Sequence, residues 1–104
     1  MREIRDSANE VWISPISTWE ALMLHSKGKI HLKVDLKEWL ADSTEGTREA
    51  PLTHEIALVA QGLTMNRDPA DRFLVATAQV LDLTLVTADQ QLLGLGNIRT
   101  LANR

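Results

Sequence analysis

Two short apolar runs, each joined directly to a helical pattern, constrain this chain more than any other feature. VWIS (Val11 to Ser14) runs straight into one helical stretch, and LTLVT (Leu83 to Thr87) follows straight on from another. The second run scarcely alternates between polar and apolar residues, which is the pattern of a strand buried on both faces. Strands separated by helices need crossover connections, and crossovers join parallel neighbours. The expectation is an α/β domain with a parallel sheet flanked by helices, built as a single domain over residues 1–104.

The helices announce their starts. Ser14 is placed to cap a helix with Pro15 at its first position, and the run ISTWEALMLHSKG ends at Gly28. Asp35 heads LKEWLADS, Thr53 heads HEIALVAQGL, and Asp68 heads a helix from Pro69 to about Leu81. KIHL reads as a short extended piece, TEGTREAP (Thr44 to Pro51) as loop, ADQQLLGLG as loop with a short helix, and NIRTL as a last edge strand. The opening REIRDSAN reads as the end of a helix, so the chain looks as though it begins in mid-domain.

Composition narrows the function classes. A formal net charge of -3 argues against a protein that holds nucleic acid through bulk positive charge, so any such contact must be local. The chain has no cysteine, hence no disulfide framework and no thiolate metal site. No apolar run approaches the roughly 20 residues of a membrane span, and the charged opening MREIRDSANE is no signal peptide, so the expected location is cytoplasmic.

Three acids stand out. Asp71 shares a helical face with the apolar Leu74, Val75, Ala78 and Leu81, so an acid heads an otherwise buried stripe. Locally it also fits the third position of a capping box begun by Asp68. Glu20 is the one charged residue from Trp19 to Leu24 and shares a face with Ile16 and Met23, as half of an ion pair with Lys27, as a rim residue whose carboxylate reaches solvent, or as part of a site. Asp89 comes just after LTLVT, at the carboxyl end where open parallel sheets place ligands, though it also suits an N-cap of QQLL. In a βαβ layout the three can converge on one rim of the sheet. Carboxylates about 4 Å apart repel by roughly 4 kcal/mol per pair at an effective dielectric near 20, so such a cluster calls for a cation. Oxygen ligands without Cys or paired His select Mg²⁺ or Mn²⁺. An ion so held can lower the pKa of a bound water and neutralise the oxygens of a phosphodiester.

ISPISTWEALMLHSKGKIHL, DPADRFLVATAQ and LTLVTADQQL resemble, in this order and over nearly the whole chain, the corresponding segments of PIN-domain ribonucleases, in particular VapC-type toxins of bacterial toxin–antitoxin pairs. The resemblance implies a three-layer PIN-like fold and a metal-dependent endoribonuclease acting on RNA. It also implies a homodimer silenced by a cognate antitoxin. It assigns Glu20, Asp71 and Asp89 as catalytic metal ligands for Mg²⁺ or Mn²⁺, leaves Asp68 outside the chemistry, and puts Arg72 at the substrate.

One departure accompanies the match. Members of that family open with a central strand ending in an aspartate, and the nineteen residues before Glu20 carry no such pattern. The expectation is therefore a domain truncated at its N-terminus, with strand edges exposed where the first strand should pair. The alternative is a non-catalytic remnant that binds an antitoxin or another PIN chain through the apolar stripes of EALMLHSKG and EIALVAQGL. A receiver-like Mg²⁺-binding signalling domain ranks third, since the adjacent acids it needs after a first strand are absent. His25, His31 and His54 lack ligand spacing. Trp12, Trp19 and Trp39 read as core or partner-facing, and Lys27, Lys29, Lys33 and Lys37 as a solvated patch.

Overall fold

The computed structural model describes residues 3–31, 35–63, 68–87 and 99–102. The elements run β1 (Glu3–Arg5), β2 (Val11–Ile13), α1 (Pro15–Ser26), α2 (Leu36–Thr44), β3 (Arg48–Glu49), α3 (His54–Gly62), α4 (Pro69–Val80), β4 (Thr84–Thr87) and β5 (Arg99–Ala102). Among the described residues, four helices start where the capping residues put them. The side chains of Ser14, Asp35, Thr53 and Asp68 accept from the backbone N–H of Ile16, Glu38, Ile56 and Asp71. Gly28 ends α1 in a Schellman turn: its φ is +72°, and the N–H groups of Gly28 and Lys29 donate to the carbonyls of His25 and Leu24. Asp82, at φ +54°, performs the same turn after α4, where Leu83 N–H reaches back 2.8 Å to the Ala78 carbonyl. This tight reversal lays β4 against the helix that precedes it.

The sheet departs from the expectation of a wholly parallel one. Its strand order is β3-β2-β1-β4-β5, with β2 and β3 parallel, β4 and β5 parallel, and β1 antiparallel to both β2 and β4. Among the described strands, β1 alone runs against the rest. The cause is the connection. Only five residues, Asp6 to Glu10, join β1 to β2, and a link that short can make a hairpin but not a crossover. Asp6 builds the turn, its Oδ1 accepting from the N–H groups of Ala8 at 2.9 Å and Glu10 at 3.0 Å, while Asn9 supplies the left-handed residue at φ +64°. Those bonds, that of Glu10 foremost, hold the Asp6 carboxyl below the usual aspartate range. The described part of REIRDSAN, residues 3–9, is thus a strand and a turn rather than the end of a helix. It fills the centre of the sheet, so the exposed edges expected between β2 and β4 do not form.

Two further expectations are corrected. The loop-like TEGTREAP contains β3, whose two residues pair with β2 beyond the turn at Gly46. Residues 29–31 of the KIHL segment form no strand, and Leu32 lies outside the described residues, as does Lys33 of the basic patch. NIRTL does supply an edge strand, β5.

The core gathers on α4. On one side Leu74, Val75 and Ala78 pack with Ile4, Leu83, Leu85 and Ala50, and Ile4, Leu74, Val75 and Leu85 are at most 1% exposed. Ile4 is directly opposite Leu85 on β4 and Trp12 on β2, so one face of the central strand meets the helix. On its other side α4 packs against α3 through Ala76, Ile56 and Ala60.

Candidate functional site

Strand direction decides which ends meet. Because β1 is antiparallel to both neighbours, β2 and β4 point the same way and their carboxyl ends share one rim. The first turn of α1 leaves β2 at that rim. The turn at Asp82 returns the chain antiparallel to α4, so the first turn of α4 is also there. α1 packs directly on α4. Glu20, one turn into α1, and Asp71, in the first turn of α4, are thereby carried by two packed helices whose starts lie at the same rim. Asp89 lies outside the described residues, two positions beyond the end of β4. Among the described residues no three acid or histidine side chains form a metal-binding group.

The two aspartates of DPAD take separate roles. Asp68 is exposed and caps α4, its Oδ1 accepting from the Asp71 N–H at 2.9 Å. Asp71 is 3% exposed, heading the face that continues through Leu74, Val75 and Ala78. Burial sets Asp71 apart from Asp68, which meets solvent, and an acid is seldom enclosed unless it is paired or coordinates a metal. Glu20 is half-buried.

Sequence reasoning missed a third group. Ser17 is 1% exposed and is the fully buried residue of α1, yet its hydroxyl has no hydrogen-bond partner. It precedes Glu20 by one turn, so the two side chains lie on neighbouring positions of one helix face, both leaning toward the N-terminal end of α1. A serine at a buried stripe position beside an acid was the available signal. The carboxylates of Glu20 and Asp71 and the hydroxyl of Ser17 are hard oxygen donors, the ligand type that suits a divalent cation such as Mg²⁺ or Mn²⁺.

Arg72 takes a structural post. Its guanidinium donates to the carbonyls of Ala60 at 3.1 Å, Gln61 at 2.9 Å and Leu63 at 3.3 Å, closing the carboxyl end of α3. The charge also suits the negative end of the α3 dipole. Arg72→Ala is expected to lower stability by about 2 kcal/mol, since several charge-assisted bonds to a helix end are lost at once. Thermal denaturation should show it as a fall of roughly 10 °C in a domain this size. An unchanged melting temperature would mean that the clamp carries no stability.

A second feature opens between α1 and α2. A groove of about 430 Å³ is lined by Ile13, Trp19, Leu22 and Leu40 among others, with Trp19 54% exposed. Trp12, by contrast, is held: its indole N–H donates to Asp6 at 3.3 Å, and the Arg48 guanidinium lies 5.6 Å from the centre of its ring.

The sequence that builds this rim has relatives among known proteins. A sequence profile of the PIN domain matches residues 1–97. The chain belongs to the PIN-domain family. The match begins at residue 1, so it takes in the reversed strand as well as the helices of the rim. Among curated proteins the PIN chain is similar to ribonuclease VapC22 of Mycobacterium tuberculosis, 33% identical over 89 residues, which is 84% of this chain and 68% of that protein. No solved structure matches it significantly. Among the described residues, no helix of this PIN domain is long and apolar enough to cross a membrane.

Proposed function

We propose that the protein is a VapC-type endoribonuclease that cleaves RNA phosphodiesters with Mg²⁺ or Mn²⁺ held by Glu20, Asp71 and Asp89. The observation that carries this reading is the burial of Asp71, a residue 3% exposed at the head of α4, on a rim shared with the helix bearing Glu20. The likeness to a VapC ribonuclease supports the same assignment. A bound divalent ion supplies neutralisation of phosphate oxygens and a water acidic enough to ionise near neutral pH. The chain's own part is to hold acids on two packed helices, so that their spacing is set by the core and not by loops. Arg72 serves this indirectly, tying the end of α3 to the start of α4 beside Asp71. A cognate antitoxin, a homodimer and a cytoplasmic setting complete the proposal.

The test is cleavage of a labelled single-stranded RNA by the purified chain. Cleavage should require Mn²⁺ or Mg²⁺ and stop with chelator. Glu20→Gln should slow it by about a hundredfold, as loss of a member of a unit-acting site does. Asp68→Asn should cleave like wild type, because Asn caps as well as Asp. Chelator-insensitive cleavage, or equal activity in Glu20→Gln, would sink the assignment. The second reading, a non-catalytic module that binds an antitoxin or another PIN chain, is favoured by the apolar groove around Trp19. Metal binding and RNA cleavage both absent from a well-folded chain would select it.

A further inference from the structure

Ser17 poses a physical problem that the acids alone do not answer. A buried hydroxyl that has surrendered its water and gained no partner destabilises the fold, and native structures keep few of them. Its neighbour Ser14 is equally buried at 1% exposed, but its oxygen is occupied, accepting from the Ile16 N–H at 3.1 Å. Among the described residues, the unpartnered buried side-chain atoms are the Ser17 hydroxyl and Nδ1 of His25, two turns farther along α1 and away from the rim. Ser17 therefore stands out by position as well as by the missing bond. It is the buried point of a helix that packs on α4, it leans toward the rim end of α1, and Glu20 stands one turn behind it.

We propose that Ser17 is a positioning residue of the rim site, its hydroxyl bonding a water or phosphate oxygen held next to Glu20 when a divalent cation is bound. The inference rests on the metal reading given above and extends it to a residue outside the acid set. Groups that orient the surroundings of a metal commonly account for about 10- to 100-fold in metal affinity when removed. A hydroxyl in this role has its bonding capacity left over by the protein's own groups, as the Ser17 hydroxyl does. Threonine at this position would keep the hydroxyl but add a methyl to a closed site, so alanine is the cleaner probe.

The experiment is Mn²⁺ titration by calorimetry on the full chain, in wild type, Ser17→Ala and Asp71→Asn, paired with metal-free melting curves. The expected result has three parts. Wild type binds Mn²⁺ and Asp71→Asn does not. Ser17→Ala binds about tenfold more weakly. Its metal-free melting temperature equals or exceeds that of wild type, because an unsatisfied polar atom has been removed. Affinity within twofold of wild type would overturn the Ser17 assignment while leaving the metal site standing. A lower metal-free melting temperature in Ser17→Ala would overturn it too, by showing that the hydroxyl is bonded within the fold. No Mn²⁺ binding by wild type would instead overturn the metal reading, and the role of Ser17 with it.

Discussion

Ile4→Ala is expected to cost about 2–5 kcal/mol, the range for deleting a fully buried aliphatic side chain and leaving a cavity behind it. Ile4 is 1% exposed at the middle of the central strand, facing Trp12 on one neighbour and Leu85 on the other, with Leu74 and Val75 of α4 in the same cluster. All of these partners belong to elements that are themselves anchored, so the space left behind is poorly filled by relaxation. Domains of this size are stable by about 5–15 kcal/mol in total, and the loss would be a large part of that. Urea unfolding followed by tryptophan fluorescence should report it as a lower midpoint with an unchanged slope. Ser7→Ala, at an exposed turn position two residues beyond β1, should stay within about 0.5 kcal/mol of wild type. A cost for Ile4→Ala below about 1 kcal/mol would mean that Glu3–Arg5 does not fill the centre of the sheet, and the rim geometry built on its direction would fall as well.

The same strand marks the limit of what was legible in the residues. Helix starts were readable because capping is local: Ser14, Asp35, Thr53 and Asp68 each bond a backbone N–H two or three positions on. The edge strand in NIRTL and the buried strand in LTLVT were readable because runs of apolar and β-branched residues survive without context. β1 was not, since three residues carry too little period to separate strand from helix, and the partner that buries Ile4 is Leu85, far along the chain. Its direction follows from the turn at Asp6 and Asn9, whose residue types were in view but whose meaning depends on a strand being present on both sides. β3, at two residues, is a strand only because β2 is next to it.

The site divides along the same line. Asp71 was marked by an acid heading an apolar stripe, and its burial to 3% exposure agrees with that reading of the helix face. Asp89 lies outside the described residues. Ser17 offered only a weak signal, because a serine inside a helix is a neutral residue by propensity and its hydroxyl becomes costly only once the fold buries it. Arg72 was read from its place beside an acid, whereas its bonds are set by the end of α3, which sequence adjacency does not reveal.

Asp71→Asn is expected to abolish both the metal response and RNA cleavage while leaving the fold in place. Asn has the same shape as Asp and still accepts a hydrogen bond, and the Asp71 N–H that Asp68 caps belongs to the backbone, so the start of α4 survives the change. The negative charge that binds a cation is lost. Where wild type at Mn²⁺ about 100 times its dissociation constant gains roughly 2.7 kcal/mol, or more than about 10 °C in melting temperature, the variant should gain nothing. Cleavage should fall by at least the roughly hundredfold expected of Glu20→Gln, because sites of this kind act as a unit and, among the described acids, Asp71 is the most fully enclosed. The paired control is Asp68→Asn, three residues earlier on the same turn, which should keep the full metal response. A Mn²⁺ shift that persists in Asp71→Asn and vanishes in Asp68→Asn would exchange the two roles, making the exposed acid the ligand and the buried one a structural residue. An equal shift in both variants would place the cation away from α4 altogether.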